Sequence, residues 1–522
     1  MSADLVNIIF GMKMRQARTA AGLSLTELAQ RAGMSTSYLT EIERGRKYPR
    51  NDKIMALATA LGKEYDALVS IKLQPSLRYL EATLSSAIVG RFPFAEFGFA
   101  TEDLLNLLTR EPEKASALLH AVLDIARRYD LQEEDFLRAA LRSYQEIHEN
   151  YFPELEEAAQ QFTAVFGPAY GFSDQEPVTL EVLAALLQTE YGYVLDEGGL
   201  AQNPDLLAYR SVYVGGERPL SNQRPLSDQR LLSNQRPLSD QRPLFLLNPH
   251  LYPRQSKFLL ARELGYQYLG LSERSTASPP DKIHSFQQLL NDYKAAYFGG
   301  ALLMPRAALL ADLEAFFSLP TWQPQALADM LTRYDVTPEM LFYRFSELIP
   351  QCFGIKLHFL RFHQANGDLR LVRHLNLSQL LMPSGIGLHE HYCRRWLAAR
   401  LLQAMKSAQA AGEGERFPLP GIHIATFLES GEQFVAMGFA RSLVLSPGEN
   451  SSVTVGFRLT PEVEQRVRFL ADPSIPQETV GETCERCPLL ACDVRAAPPL
   501  VREGEEVKEK RQLALRQIGA VS

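Results

Sequence analysis

Three cysteines lie within nine residues near the end of this 522-residue sequence, at Cys484, Cys487 and Cys492. Two thiols separated by two residues, with a third close behind, have the spacing of soft ligands for an iron–sulfur cluster or a zinc ion. The fourth ligand must come from elsewhere, and Cys393, at the start of a predicted helix, is the best candidate. Cys352 is expected in the buried core. Unmetallated, reduced thiols are the alternative for the whole group.

A second stretch, QSKFLLARELGYQYL at residues 255–269, places positions 262 and 266 one helical turn apart. In zinc peptidases these positions carry histidines that bind the metal, and the glutamate after the first histidine is the general base. Here the positions hold Arg262 and Tyr266, and arginine cannot lose its charge to bind zinc. The sequence therefore predicts no working zinc site, and we expect Glu263 to form a salt bridge or a hydrogen bond.

A third stretch, from Leu23 to Pro49, has the pattern of two short helices joined by a turn. Gly33 ends the first helix, and Ser35 is placed to cap the second. In such a unit the first residues of the second helix contact base edges in the major groove. The residues predicted to do so are Thr36, Ser37, Tyr38 and Thr40. The residues predicted to contact phosphates are Arg44, Arg46, Lys47 and Arg50.

The composition is that of an ordinary globular protein, with 46% hydrophobic and 22% charged residues. The net charge is −7, so the basic residues between positions 44 and 53 are a local cluster in an acidic chain. The N-terminal sequence lacks the apolar core of a signal peptide, and no apolar run approaches the ~18 residues of a membrane span. Five cysteines in a chain of this length do not indicate a disulfide scaffold. We expect a cytoplasmic protein with no membrane association.

Between Arg218 and Arg242 the phrase RPLS(N/D)Q recurs with a period of six. Without these repeats, SVYVGGE would join RPLFLLNP as a β-hairpin with a Gly-Gly turn. We interpret the block, residues 217–243, as an expansion inserted in a hairpin loop. A hexapeptide β-helix and a flexible arginine-bearing arm that contacts DNA are the alternatives.

These motifs resemble known families, one after another along the chain. The phrase IERGRKYP at 42–49 resembles the XRE (Cro/CI-type) helix-turn-helix family, whose members normally work as dimers. The 255–269 helix and the phrase ALLMP at 301–305 resemble the ImmA/IrrE-type peptidase-like family, in which Asp292 would lie near the position of the acidic ligand. Relatives of that family carry a GAF-like domain next. The complete order, ending in the cysteine motif, resembles the short-chain fatty acyl-responsive XRE regulators.

The predicted fold is multidomain and mainly α. After residue 354 the pattern changes to alternating, strand-like runs at 356–362, 369–372, 434–440 and 452–457, with a helix predicted over Cys393–Met405. The predicted domains are an XRE helix-turn-helix bundle at 8–70, a helical linker and candidate dimerisation domain at 71–172, a degenerate ImmA/IrrE peptidase-like α+β domain at 173–310, a helical connector at 311–353, and a GAF-like α+β sensor domain at 354–522 with the cysteine motif 484–495.

The resemblance implies a transcriptional regulator and no enzyme. It would bind double-stranded DNA as a homodimer and respond to a short-chain acyl effector, as an acyl-CoA, in carboxylate or fatty-acid metabolism. It also implies that Cys484, Cys487 and Cys492, with Cys393 as the fourth ligand, hold an iron–sulfur cluster, with zinc as the alternative. Two other functions stay open: a redox or metal sensor, and a zinc peptidase that cleaves a repressor, against which the missing histidines argue.

Overall fold

The computed structural model describes residues 3–70, 96, 133–215, 242–365, 367–378, 380, 390–412 and 418–517. Two compact units are present. The first contains the residues up to Tyr144 together with His284–Phe286, and the second contains Gln145–Ile283 and the residues from Gln287 onward. The predictions for 71–132 and for most of the repeat block lie outside the described residues. None of the described helices is long and apolar enough to cross a membrane.

The first unit begins with a bundle of short helices around a small apolar core. The helices are α1 (Ala3–Ala20), α2 (Leu25–Ala32), α3 (Thr36–Glu43), α4 (Asn51–Leu61) and α5 (Tyr65–Val69). The buried side chains that they share include Phe10, Met14, Leu28, Leu39, Ile42, Ile54 and Leu57. The apolar spacing that predicts α2 and α3 therefore also forms the core.

Helices α1 and α3 approach so closely that only glycine fits at position 11. A Cβ atom added to Gly11 would lie 2.4 Å from the carbonyl oxygen of Ile42 and 3.3 Å from that of Glu43. Both contacts are with backbone, which cannot rotate away as a side chain can. Gly11 therefore sets the distance between α1 and α3.

The second unit opens with helices and a small sheet. The elements are α6 (Glu133–Ile147, which starts in the first unit), α7 (Pro153–Tyr170), α8 (Leu180–Glu190), β1 (Val194–Asp196), β2 (Ser211–Val214), β3 (Leu244–Leu247), α9 (Pro253–Tyr268), β4 (Ala277–Ser278) and α10 (Phe286–Leu303). Among the described strands the sheet order is β1-β3-β2-β4. Strands β2 and β3 are antiparallel, with Ser211 opposite Leu247, so the predicted hairpin around the repeat block is confirmed.

Three helices connect this part to a larger sheet. The elements are α11 (Arg306–Phe317), α12 (Pro324–Arg333), α13 (Pro338–Phe353), β5 (Leu357–Ala365), β6 (Asp368–Asn376), α14 (Leu397–Ala410), β7 (Leu419–Phe427), β8 (Gln433–Ser442), β9 (Asn450–Arg458), α15 (Pro461–Arg466), β10 (Gln477–Val480) and α16 (Leu500–Gln517). The order among the described strands is β10-β7-β8-β9-β5-β6, and only the β10–β7 pair is parallel.

The predicted strands of this sheet are confirmed as β5, β6, β8 and β9, whereas β7 and β10 were not predicted. The helix predicted over Cys393–Met405 is displaced: α14 begins at Leu397, because Trp396 is extended (φ −59°, ψ 143°). Cys393 therefore lies before the helix. Leu397 and Leu401 of α14 pack against Ala436 and Ala440 on one face of the sheet.

The opposite face of the sheet shares one hydrophobic core with the connecting helices and the small-sheet region. Phe317 of α11 contacts Phe457 of β9, with ring centroids 6.3 Å apart. The Phe342 ring of α13 lies 5.4 Å from that of Phe439 on β8. The same contiguous core extends back to Leu264 on α9. The predicted peptidase-like, connector and sensor segments thus pack as one body.

We expect Gly11→Ala to destabilise the first unit by about 1–3 kcal/mol, because the added methyl group forces α1 and α3 apart. Calorimetry of the full chain should show the transition of this unit at least about 4 °C lower. Gly504→Ala is the matched control, since a Cβ at this position of α16 meets nothing within 4 Å. An unchanged transition in Gly11→Ala would contradict the close contact.

Candidate functional site

Local capping fixes the two helices of the helix-turn-helix unit. The Ser24 hydroxyl accepts from the N–H of Glu27 at 3.2 Å, and the Glu27 carboxylate accepts from the N–H of Ser24 at 2.7 Å. Helix α2 ends at Gly33, whose φ of 63° is left-handed. The Ser35 hydroxyl accepts from the N–H of Tyr38 at 3.2 Å, so the predicted cap of α3 is confirmed.

A largely buried ion pair holds α3 against α1. Arg18 Nε and Nη2 donate to the two carboxylate oxygens of Glu43 at 2.6 and 3.1 Å, and Nη1 donates to the carbonyl of Leu23 at 2.8 Å. Hydrogen bonding to Glu43 raises the pKa of Arg18. A bidentate pair of this kind fixes orientation as well as distance. Glu43, the acidic residue of the IERGRKYP phrase, therefore sets how α3 lies on α1.

The side chains predicted to contact DNA lie on α3 and directly after it. Those exposed to solvent are Thr36, Ser37, Arg44, Arg46, Lys47 and Arg50, and those half-buried are Tyr38 and Thr40. Tyr38 packs against the apolar core, and the Thr40 hydroxyl donates to the carbonyl of Thr36 at 2.8 Å. Arg46 forms an ion pair with Glu41 at 3.2 Å, which the sequence did not predict. The exposed hydroxyl and basic groups thus lie at opposite ends of one short helix.

The glutamate of the degenerate zinc motif is bound by protein groups. Glu263 is 1% exposed, and its two carboxylate oxygens accept from Arg274 Nη1 and Nη2 at 2.5 and 2.6 Å. It also accepts from the Tyr193 hydroxyl at 2.6 Å. The expected salt bridge of Glu263 is therefore confirmed. Burial, and then the charge of Glu263, raise the pKa of Tyr193, so this phenol stays protonated as a donor.

Arg274 lies between two tyrosine rings. Its guanidinium carbon is 3.8 Å from the ring centroid of Tyr213 and 4.0 Å from that of Tyr266. Burial opposes its charge, but hydrogen bonding and attraction to Glu263 outweigh burial and raise the pKa of Arg274. Tyr266, which stands at a zinc-ligand position, therefore contributes a ring face to a cation. Arg274 was not predicted, because it lies on the segment after α9, outside the motif.

Asp292 and Arg262, two further polar residues of this region, also form hydrogen bonds. Asp292, near the acidic-ligand position, accepts from the Tyr266 hydroxyl and, at 2.5 Å, from the Ser275 hydroxyl. Arg262 Nη1 donates to the Ser278 hydroxyl at 3.2 Å, and burial lowers the pKa of Arg262. These side chains do not fit a zinc ion, because neither motif position offers a ligand and the two carboxylates are held by protein donors.

The backbone brings Cys393 beside the cysteine motif. The N–H of Cys393 donates to the carbonyl of Glu482 at 3.1 Å, and the N–H of Cys484 donates to that of His391 at 2.8 Å. Cys393, Cys484 and Cys487 are all buried, and Cys492 is half-buried. Burial raises the pKa of the Cys393 thiol, and the nearby thiols of Cys484 and Cys487 raise it further, against the backbone donors of its surroundings. Cys352, expected in the core, is half-buried in the last turn of α13.

Arg495 holds the cysteine loop together. It donates to the carbonyls of Cys484 at 2.5 Å, Cys487 at 3.1 Å and Leu489 at 2.6 Å. The N–H of Ala496 points to the Cys484 sulfur at 3.3 Å. Backbone N–H groups directed at sulfur, and arginines near it, suit a thiolate-bound centre.

The cysteine side chains are near one another without forming a closed ligand set. Across the part of the chain that the structure describes, no three His, Cys, Asp or Glu side chains are grouped as a metal site. Thiols are donors that such a centre uses, but the described geometry does not assemble three of them into a site.

Two domain families match this chain. Residues 9–68 match a helix-turn-helix domain, and residues 224–346 match the IrrE N-terminal-like domain. The chain contains an XRE-type helix-turn-helix domain and an IrrE-like domain. The match of the IrrE-like domain covers α9, α10 and the degenerate zinc cleft, so the departures at Arg262 and Tyr266 occur within a recognisable domain of this type.

The chain is also similar to regulators from Mycobacterium tuberculosis. It is 44% identical over 59 residues to the transcriptional regulator ClgR of strains CDC 1551 / Oshkosh and H37Rv, which is 11% of this chain and 53% of the relative. The chain thus spans about half the length of the curated relatives it matches. A solved Mycobacterium tuberculosis transcriptional regulator aligns with 69% of this chain and 94% of that chain, at 18% identity and a TM-score of 0.43.

We expect Arg274→Met to destabilise the second unit by about 3–5 kcal/mol, because it leaves Glu263 buried without its cation. Urea denaturation followed by circular dichroism measures this loss. The double variant Glu263→Gln/Arg274→Met should recover most of it, since no buried charge remains.

The matched control for this prediction is Arg458→Met, which removes the arginine of a partly exposed pair with Glu432, the two side chains being 39% and 31% exposed. An exposed pair contributes at most about 1 kcal/mol. If Arg274→Met costs no more than Arg458→Met, the buried pair does not hold the cleft together.

Proposed function

We propose that this protein is a sequence-specific, DNA-binding transcriptional regulator. The observation that carries the proposal is α3, with exposed Thr36 and Ser37 at its N-terminus and exposed cations after its C-terminus. In helix-turn-helix proteins the first part of the second helix reads bases, and surrounding cations bind phosphates. The similarity to the transcriptional regulator ClgR over 59 residues supports the proposal. As a homodimer, the protein would place two copies of α3 about 34 Å apart, or at a multiple of that spacing.

We expect Arg50→Ala and Ser37→Ala to affect DNA binding in different ways. Arg50→Ala should weaken binding to all sequences and lower the log–log salt slope by about one, because one phosphate contact is lost. Ser37→Ala should change the preferred sequence and leave the slope unchanged.

The measurement is fluorescence anisotropy at several salt concentrations, with a duplex selected from a random library by the wild-type protein. Lys63→Ala, which removes an exposed cation after α4, is the control and should keep both slope and preference. Unchanged affinity and slope in Arg50→Ala would show that the basic segment does not lie on phosphates.

The proposal assigns the IrrE-like domain a structural role without peptide hydrolysis. Hydrolysis by this class of enzyme needs two metal-binding histidines and a free general base. Here the histidine positions are Arg262 and Tyr266, and the base position Glu263 is bound by Arg274 and Tyr193. A carboxylate that accepts three charged or phenolic hydrogen bonds is poorly placed to take a proton from water.

The proposal includes a thiolate-bound metal centre held by Cys393, Cys484, Cys487 and Cys492. Its support is the backbone pairing of Cys393 with the cysteine motif, and the loop closed by Arg495. Such a centre, an iron–sulfur cluster or zinc, would tie the C-terminal segment to the sheet, since metal binding energy is also folding energy. An iron–sulfur cluster would in addition supply redox chemistry.

We expect Cys484→Ala, Cys487→Ala and Cys492→Ala each to lose the metal, because each removes a ligand, and to lower the unfolding temperature of the second unit. Cys352→Ala is the matched control and should keep the metal. The measurement is iron, sulfide and zinc analysis of protein purified without oxygen. Equal metal content in Cys484→Ala and wild type, or metal-free wild-type protein, would contradict the assignment.

The effector in this proposal is a short-chain acyl metabolite, as an acyl-CoA, which changes DNA affinity. A regulator that senses redox state or metal is the second candidate, favoured by Cys492, which is half-buried whereas Cys393, Cys484 and Cys487 are buried. Titration of acyl-CoAs against DNA binding, in reduced and oxidised protein, separates the two. An acyl-CoA that changes DNA affinity in both states supports the first, and a change caused by oxidation alone supports the second.

A further inference from the structure

A row of basic and polar residues crosses the end of the large sheet. In the register of strands β6, β5, β9 and β8, Arg370 lies opposite His363, His363 opposite Ser451, and Ser451 opposite Arg441. Residues directly opposite in a sheet point to the same face, about 5 Å apart. Arg361, two residues before His363 on β5, is on this face as well. The face is the one that packs on α13 and carries the main hydrophobic core.

A single carboxylate from α13 lies among these residues. Glu339 accepts from Arg441 Nε at 2.9 Å and Nη2 at 2.8 Å, and Arg361 Nη2 is 3.8 Å away. Burial opposes the ionisation of Glu339, but Arg441 and Arg361 outweigh it and lower its pKa to about 2. One carboxylate thus faces two guanidinium groups.

A third arginine comes from the segment directly before β2 of the small sheet. Arg210 precedes β2, and its N–H donates to the carbonyl of Ser278 at 2.6 Å. The residue is exposed to solvent, but partial desolvation of its guanidinium lowers its pKa against the attraction of Glu339. Among the described residues, no hydrogen-bond partner is found for its side chain. Arg441 and Arg262 are close enough to lower its pKa further.

Two further nitrogen atoms in this region, one on Arg361 and one on His363, have no hydrogen-bond partner among the described residues. The Arg361 Nε donates to the Ser451 hydroxyl at 3.3 Å, whereas its Nη1 has no hydrogen-bond partner in the described part of the chain. The Nε2 atom of His363 is buried and also without a partner there. Burial, then Arg361 and Arg370, lower the pKa of His363 to about 4, so the ring is neutral near pH 7 and can still donate one hydrogen bond.

We propose that Arg210, Arg361, Arg370, Arg441 and His363, here called the arginine cluster, bind a small molecule that carries phosphate groups. Guanidinium groups bind phosphate through paired hydrogen bonds, and like charges this close favour a multivalent anion. The side chains of Arg361 and Arg441 are only 14% and 15% exposed. Recessed cations of this kind admit a terminal phosphate more readily than the backbone of a DNA duplex.

Binding of a phosphate compound to the arginine cluster does not depend on the proposed function. Only the expected effect of that ligand on DNA binding rests on the proposed function. The small-sheet region contributes Arg210, and the large sheet contributes the other members of the cluster. A bound phosphate compound would therefore connect both parts of the second unit, on the side where α13 begins.

The test is isothermal titration of the full-length protein with inorganic pyrophosphate, at an ionic strength kept constant with sodium chloride. We expect saturable binding that is weakened about tenfold or more in Arg210→Ala and in Arg370→Ala, because each removes a charged hydrogen-bond donor. Both side chains are exposed, so the folded state should persist. Arg468→Ala, an exposed arginine beyond the other end of β9, is the matched control and should bind as wild type does.

Three results would overturn the site: no saturable binding, equal binding in all variants, or variants that weaken only binding to DNA. The regulatory effect is read separately, from DNA affinity with and without saturating pyrophosphate or an acyl-CoA. Binding that depends on the cluster but leaves DNA affinity unchanged supports the site and contradicts the coupling to the proposed function.

Discussion

The cleft of the IrrE-like domain depends on the buried ion pair between Glu263 and Arg274. A carboxylate with 1% exposure is costly to bury unless a cation and further donors satisfy it. Arg274 supplies both, and the rings of Tyr213 and Tyr266 enclose its guanidinium. In a zinc peptidase the metal is the cation of this cleft. Here the guanidinium of Arg274 is the cation. Tyr266, which stands at a histidine position of the motif, packs its ring against this guanidinium.

The degenerate cleft is part of a larger packed body. The hydrophobic core continues from α9 through the connecting helices to the inner face of the large sheet. Close-packed interiors transmit displacement because they contain little free space. The arginine cluster lies at the edge of this core, with Arg210 from one side and Arg361 and Arg441 from the other. A ligand there would act on the body as a whole, a role for the IrrE-like domain that needs no hydrolysis.

The sequence predicted those helix caps and strands that depend on residues close together in the chain. The cap at Ser35, the hairpin between β2 and β3, and the strands β5, β6, β8 and β9 follow from caps and alternation within a few residues. Strand β7 was missed because Pro420 and Gly421 interrupt its start, and β10 because it is short and three of its four residues are polar. Arg274 and the arginine cluster depend on packing and strand register between distant segments, which one sequence does not display.

The identity of the cation in the IrrE-like cleft is the central claim, and zinc stoichiometry tests it most directly. The measurement is competitive zinc titration of wild type, Asp292→Asn, and Arg262→His/Tyr266→His/Arg274→Ala. We predict that Asp292→Asn binds as much zinc as wild type, because Asp292 holds no metal, and that the triple variant gains a zinc ion. Loss of a zinc ion in Asp292→Asn, with no gain in the triple variant, would contradict it.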